Sequence, residues 1–192
     1  MNKGRMEAFS DGVIAILITI MVLELHAPQE VTWRALGPVV PTFLAYVLSF
    51  VYVGIYWANH HHMLQLVERV NGGILWANMH LLFWLSLVPF ATAWMGEHHF
   101  APVPTALYGI VLLGAGAAYE VLLRALIREQ GEGSRLAAAV GRDKKGLASL
   151  AAYAIAIPIA FYAPPIADVL YIGVALMWLV PDPRIERHIR GR

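Results

Sequence analysis

Two short stretches hold most of the side chains that could do chemistry: Arg5-Met6-Glu7-Ala8-Phe9-Ser10-Asp11-Gly12, and Tyr56-Trp57-Ala58-Asn59-His60-His61-His62. A carboxylate in an apolar helix, set near imidazoles, can shuttle protons, attract a cation or tie helices together by hydrogen bonds. Three histidines in a row invite a zinc reading. Consecutive helical residues point about 100° apart, however, so they cannot converge on one ion, and helical zinc ligands pair at i, i+4. His98-His99 belongs to the other side of the membrane in the topology below, and cysteine is absent, which excludes thiolate sites and disulfides. Trp57, Asn59, His60 and His61 are therefore expected to hydrogen-bond across to Ser10 and Asp11. No metal, cofactor or catalytic residue is expected.

The elements that must position these residues are membrane helices. The chain is 59% hydrophobic and only 14% charged, against roughly a quarter charged in a soluble domain. Leu36 to Trp57 and Ile74 to Met95 contain no Asp, Glu, Lys or Arg, and each is long enough to cross a hydrocarbon core of about 30 Å. Six spans are predicted, near 6–25, 36–57, 74–95, 103–127, 147–163 and 166–180. The last two are separated at Pro164-Pro165, where missing N–H groups mark a turn. Glu7 and Asp11 interrupt the early apolar run, so the first span is read as a retained helix rather than a cleaved signal. The loop from Glu129 to Lys145 is the one sizeable extramembrane piece, leaving a single transmembrane domain over 1–192.

Charge placement supports that count. With the N-terminus inside, every Lys and Arg of the 14 in the chain except Arg34 falls on the cytoplasmic side, as expected where basic residues resist translocation. Five spans would put Arg184, Arg187, Arg190 and Arg192 outside. The formal charge of +1 gives no indication of nucleic-acid binding. No internal repeat of the inverted kind found in many transporters is visible.

Within the first helix, Phe9, Ile16, Ile20 and Leu23 fall near one face. Asp11 lies about 140° around the axis from Ile16, so the carboxylate turns toward neighbouring helices when the isoleucines turn away. Ser10 or Asp11 would alternatively cap the helix N-terminus, but capping at Asp11 leaves about 14 residues to Leu25, too few to span. Thr19 supplies a hydroxyl at mid-depth beside the stripe. An aliphatic stripe by itself is ordinary lipid or packing surface. Glu24 is either a ring of negative charge at an outer mouth or an interfacial carboxylate in water. Asn78, His80 and Glu120 are expected to meet interhelical partners or to approach the cytoplasmic interface. Gly109, Gly114 and Gly116 would let helices approach closely.

These residues resemble the prokaryotic transmembrane protein 175 family. The first-helix match runs through Arg5-x-x-x-Phe9-Ser10-Asp11-Gly12, Val13-x-Ala15-Ile16-x-Ile18-Thr19 and Val22-Leu23-Glu24-Leu25. Trp57-x-Asn59-His60-His61 matches the second-helix motif, and Ser86-Leu87-x-Pro89-Phe90-x-Thr92 with Gly96-Glu97-His98 the end of the third. The resemblance implies a potassium-permeable channel lacking the Thr-Val-Gly-Tyr-Gly filter. It further implies a homotetramer of six-helix subunits in the prokaryotic inner membrane, with both termini cytoplasmic, K⁺ as the permeant ion and the first helix lining a central pore. Ile16 would then form a hydrophobic constriction, with Ile20 and Leu23 further out and Thr19 bearing on selectivity. Arg5, Phe9, Ser10, Asp11, Trp57, Asn59, His60 and His61 would form the polar network holding the helices together. The rival readings are a proton-coupled secondary transporter using Asp11 and His60, a membrane-embedded enzyme, for which no convergent set exists, and a scaffold without flux.

Overall fold

A computed structural model describes residues 3–131, 133–141 and 143–179. Among these the protein is entirely α-helical, with a 3₁₀ segment at Trp33–Val39. The helices are α1 (Lys3–Leu23), α2 (Val40–Gln65), α3 (Gly72–Ser86), α4 (Val88–Glu97), α5 (Pro102–Gln130), α6 (Arg135–Val140), α7 (Lys144–Ala160) and α8 (Pro164–Leu179). The C-terminal arginines, Arg142 and Val180 lie outside the described residues.

Local chemistry explains most of the boundaries. Pro41 stands in the first turn of α2, where a missing N–H costs nothing. The far end of α2 is closed by Lys3, whose Nζ donates to the Leu64 and Val67 carbonyls at 3.0 Å each, as a cation suits a helix C-terminus. Asn71 caps α3 by accepting from the Ile74 N–H, and Asp143 caps α7 by accepting from the Gly146 N–H. α7 ends at Ala160, three residues separate it from α8, and Pro164 starts the new helix.

Two helices differ in extent or continuity from the expected spans. The second helix does not stop near Trp57 but runs on to Gln65, carrying His60, His61 and His62 inside it. Hydropathy fades there, yet nothing in the sequence breaks the helix. The third, expected as one rod over 74–95, is interrupted at Leu87. Pro89 cannot bond back to Leu85, and Leu87 instead donates to Trp84, three residues back. The two pieces remain one apolar rod over Gly72–Glu97.

Among the described residues, four rods are long and apolar enough to cross a membrane: Lys3–Leu23, Trp33–Gln65, Gly72–Glu97 and Pro102–Gln130. α7, at 17 residues, is shorter, and α8 is described over the 16 residues Pro164–Leu179. The bundle is apolar on the outside, as Phe43, Leu44, Phe50, Ile155, Val169 and Leu176 show. Hydroxyls and amides sit within it. Ser49 lies 2.6 Å from Thr92 and 2.9 Å from Tyr108, and Tyr52 donates to the Tyr171 carbonyl at 2.6 Å. That distribution belongs to a lipid-solvated, multi-pass membrane protein, in which greasy surface costs nothing and every buried polar group needs a partner.

α5 runs through the middle, packed against α3 and α7, while α1 lies on one flank against α2, α3 and α4. Small residues set the closest approaches. A Cβ on Gly114 would run into the Trp84 indole, and one on Gly109 into the Tyr171 ring. Gly114→Val is expected to lower stability by about 1–3 kcal/mol through overpacking. Thermal unfolding of the detergent-solubilised protein measures it, and Gly173→Val, where a Cβ meets nothing, should leave the transition in place.

Candidate functional site

α1 divides sharply into two faces. Met6, Ser10, Ile14, Leu17 and Met21 recur at helical spacing and bury themselves against the bundle. Phe9, Ile16, Thr19, Ile20 and Leu23 lie on the other side and are exposed; Ile16 retains 57% of its surface while Ile14 retains 1%. Thr19 is exposed beside the aliphatic stripe, its hydroxyl bent back to donate to the Ile16 carbonyl at 2.8 Å. Glu24 falls one residue beyond the end of α1, half-buried, its backbone carbonyl 2.9 Å from His26.

The buried face is fastened by a directed chain of hydrogen bonds. Ser10, fully buried, donates through Oγ to the Met6 carbonyl at 2.9 Å. The Asn78 amide nitrogen, on α3, donates to Ser10 Oγ at 2.9 Å, and the Asn78 carbonyl oxygen lies 2.8 Å from His60 Nε2 on α2. Because that oxygen only accepts, Nε2 carries the proton. Three helices are thus joined by one histidine, one amide and one hydroxyl, all buried. The opposite ring nitrogen, His60 Nδ1, is buried with no partner among the described residues.

A second, more exposed set lies alongside. Trp57 Nε1 donates to Asp11 Oδ1 at 3.1 Å, and its indole stacks on the His61 ring at 5.9 Å between centroids. The Gln65 amide nitrogen is 2.8 Å from His61 Nε2, and His61 Nδ1 is 3.2 Å from Glu7 Oε1. Since the amide nitrogen can only donate, Nδ1 holds the hydrogen and directs it at Glu7. Asp11 and Glu7 therefore both reach across to α2, one met by an indole and the other by an imidazole.

The sequence reading placed Ser10, Asp11, Trp57, His60 and His61 in one network; the structure places them between the N-terminal half of α1 and the C-terminal half of α2 but in two sets, His60 reaching Ser10 through Asn78 rather than directly, and Asp11 meeting Trp57 beside His61. It does not bring in Asn59, whose amide donates back to the Ile55 carbonyl of its own helix at 2.9 Å. Arg5 is exposed and has no ion pair among the described residues. Phe9 is exposed rather than packed among the polar groups. Ser10 and Asp11 do not cap α1, which begins at least two turns earlier. His80 accepts from Trp84, and Glu120 pairs with Arg124, each within its own helix. Asn78 is the residue the sequence understated. Glu7, Gln65 and Lys3 were missed because hydropathy signals depth but not rotation about a helix axis.

Comparison with known proteins places this geometry. The family model described as endosomal/lysosomal potassium channel TMEM175 matches residues 5–89, the stretch containing α1, α2 and α3. A protein of Chryseobacterium sp. named a potassium channel is 54% identical over 190 residues, covering 99% of both chains. The chain belongs to the TMEM175 family. A Streptomyces collinus protein, also named a potassium channel, is 36% identical over 129 residues, 63% of each chain. Among solved structures, a lysosomal potassium-selective channel TMEM175 homolog from Chamaesiphon minutus superposes with a TM-score of 0.77 at 29% identity, covering 93% of this chain and 96% of that one. The likeness to the TMEM175 homolog therefore extends beyond the matched segment to α5, α7 and α8.

Removing one member of the buried chain leaves another polar group unpaired in an apolar interior, at about 1–3 kcal/mol. Asn78→Ala is expected to lower the thermal transition more than Asn59→Ala. The Ser10→Ala/Asn78→Ala double variant should lose less than the sum of the two single losses, because the groups share one bond. Strict additivity would separate Ser10 from Asn78 energetically.

Proposed function

We propose that this chain is a potassium-permeable cation channel in which α1 of each subunit lines a central pathway in a homotetramer. The observation that carries the reading is the two-faced α1, which is held in fixed rotation by Ser10, Asn78 and His60 and leaves Ile16, Thr19, Ile20 and Leu23 exposed among the described residues. A helix fastened on one side and greasy on the other offers a surface for lipid, for another copy or for a narrow water path. Family membership and the potassium-channel names of close relatives favour the last.

In this reading each subunit crosses the membrane six times, with α7 and α8 as the last two crossings and both termini cytoplasmic, as the basic residues favour. The membrane is the prokaryotic inner membrane. Conduction is passive and requires no enzymatic step. Rings of Ile16, Ile20 and Leu23 close the pathway by dewetting, and a small widening wets it and lets a partly hydrated cation pass. Thr19 contributes an exposed hydroxyl between these rings, and Glu24 concentrates cations near the outer end. Without a carbonyl filter, preference for K⁺ over Na⁺ should be modest.

The proton-coupled alternative meets a chemical obstacle. A relay from His60 toward α1 would have to run through the amide of Asn78, which donates and accepts hydrogen bonds but does not pass a proton on as imidazoles or carboxyls do. Asp11 bonds to an indole, which is likewise a donor only. The Ser10–Asn78–His60 chain is better suited to holding helices than to moving charge.

Purified protein in liposomes should release K⁺ down its gradient faster than Na⁺, without an imposed proton gradient. Ile16→Asn should leak and Ile16→Phe should come close to blocking, whereas Ile155→Asn, on the outer face of α7, should leave selectivity unchanged. Unaltered flux in both Ile16 variants would remove that residue from the constriction, and flux that appears only with a proton gradient would restore the transporter.

A further inference from the structure

Away from α1, a groove of about 330 Å³ opens between the end of α5 and the segment leading into α7. Its floor is aliphatic, from Leu123 and Ile127 on α5 and Val140 at the end of α6. Its rim carries Arg124 and Arg128, one helical turn apart and both exposed. Two acids, Glu120 and Asp143, also border it, but each is already engaged. Glu120 Oε1 takes the Arg124 Nε hydrogen at 2.7 Å, and Asp143 caps α7 at 2.8 Å. Nearby Glu129 accepts from Asn71 at 2.6 Å. These acids are engaged, while Arg128 and Lys144 are exposed.

Depth along α5 identifies the occupant. The helix begins at Pro102 and has 29 residues. About 20 of them fill a hydrocarbon core of ~30 Å, which brings the boundary to near Val121. The next two turns, bearing Arg124 and Arg128, therefore lie at the level of lipid headgroups, with the aliphatic floor on the acyl side. Nearby Trp178 and Tyr119 are aromatic and partly buried at the same end, in keeping with an interfacial belt. A free anion would have no use for the floor, whereas a phospholipid uses both surfaces.

The geometry points to an inner-leaflet binding site for an anionic phospholipid, its phosphate set between Arg124 and Arg128 and the start of an acyl chain laid on Leu123, Ile127 and Val140. The leaflet rests on the orientation proposed above; the lipid chemistry does not. Arg128 is the discriminating residue, because among the described residues it makes no ion pair that its removal would break, whereas loss of Arg124 exposes Glu120. Each basic residue near a headgroup is worth about fivefold in anionic-lipid retention.

The test is native mass spectrometry of the full-length protein with equal phosphatidylglycerol and phosphatidylcholine added, counting lipids retained. Wild type should keep phosphatidylglycerol preferentially. Arg128→Gln should lose about fivefold of that preference and Arg124→Gln/Arg128→Gln most of it, while Arg34→Gln, in the 3₁₀ segment at the opposite end, should match wild type. Equal retention of the two lipids, or a preference indifferent to Arg128→Gln in protein with an unchanged thermal transition, overturns the site. Labelling of Arg128→Cys in sealed right-side-out vesicles reads the leaflet separately. Protection from an impermeant reagent supports the inner leaflet, and modification from outside overturns it along with the proposed orientation.

Discussion

Rotation of α1 about its own axis is the quantity on which the rest of the molecule turns. A 100° error would carry Ile16 into the bundle and Ser10 into lipid, and nothing in an all-aliphatic interface would resist it strongly, since Leu17 and Ile16 fit apolar surroundings about equally well. The Ser10–Asn78–His60 chain does resist it. Each of its bonds has one permitted direction, His60 to Asn78, Asn78 to Ser10, and Ser10 to the Met6 carbonyl. A buried donor pulled away from such a chain finds no water to replace it. Apolar packing holds α1 on the bundle; the polar chain decides which way it faces.

The same logic operates elsewhere. Ser49, Thr92 and Tyr108 join α2, α4 and α5, and Tyr171 joins α8 to α5 through the Thr105 carbonyl at 3.1 Å. At one end of the bundle Gln130 bonds both the Glu68 N–H and the Arg69 carbonyl, clamping the turn between α2 and α3 to the end of α5. Where lipid supplies no hydrophobic drive between helices, these ties and close glycine contacts specify the arrangement.

Much of this was legible beforehand, and the failures have physical causes. Charge-free runs gave the apolar helices and their order, and the spacing of Ile16, Ile20 and Leu23 against Asp11 gave the two faces of α1. The run from Ile74 to Met95 concealed its own interruption, because freedom from charge says nothing about backbone continuity; Pro89 carried the signal. Pro158, by contrast, sits inside α7 near its end and breaks nothing. Trp57 and His61, four apart, turn to α1 together, whereas His60 turns to α3 and Asn59 back onto its own backbone. That difference of one residue is settled by the crossing of α2 over its neighbours, which no single segment encodes.

The modest length of α7 has a mechanical corollary. At 17 residues it measures about 25 Å, several ångströms less than an average hydrocarbon core. It lies on the flank away from α1, packed on α5 and α8. Under the proposed topology, in which α7 crosses, surrounding acyl chains must shorten on that side of the protein but not the other, at a cost of a fraction of a kcal/mol per ångström. The protein is then a wedge set in an elastic sheet, and membrane thickness becomes a force applied to its rim.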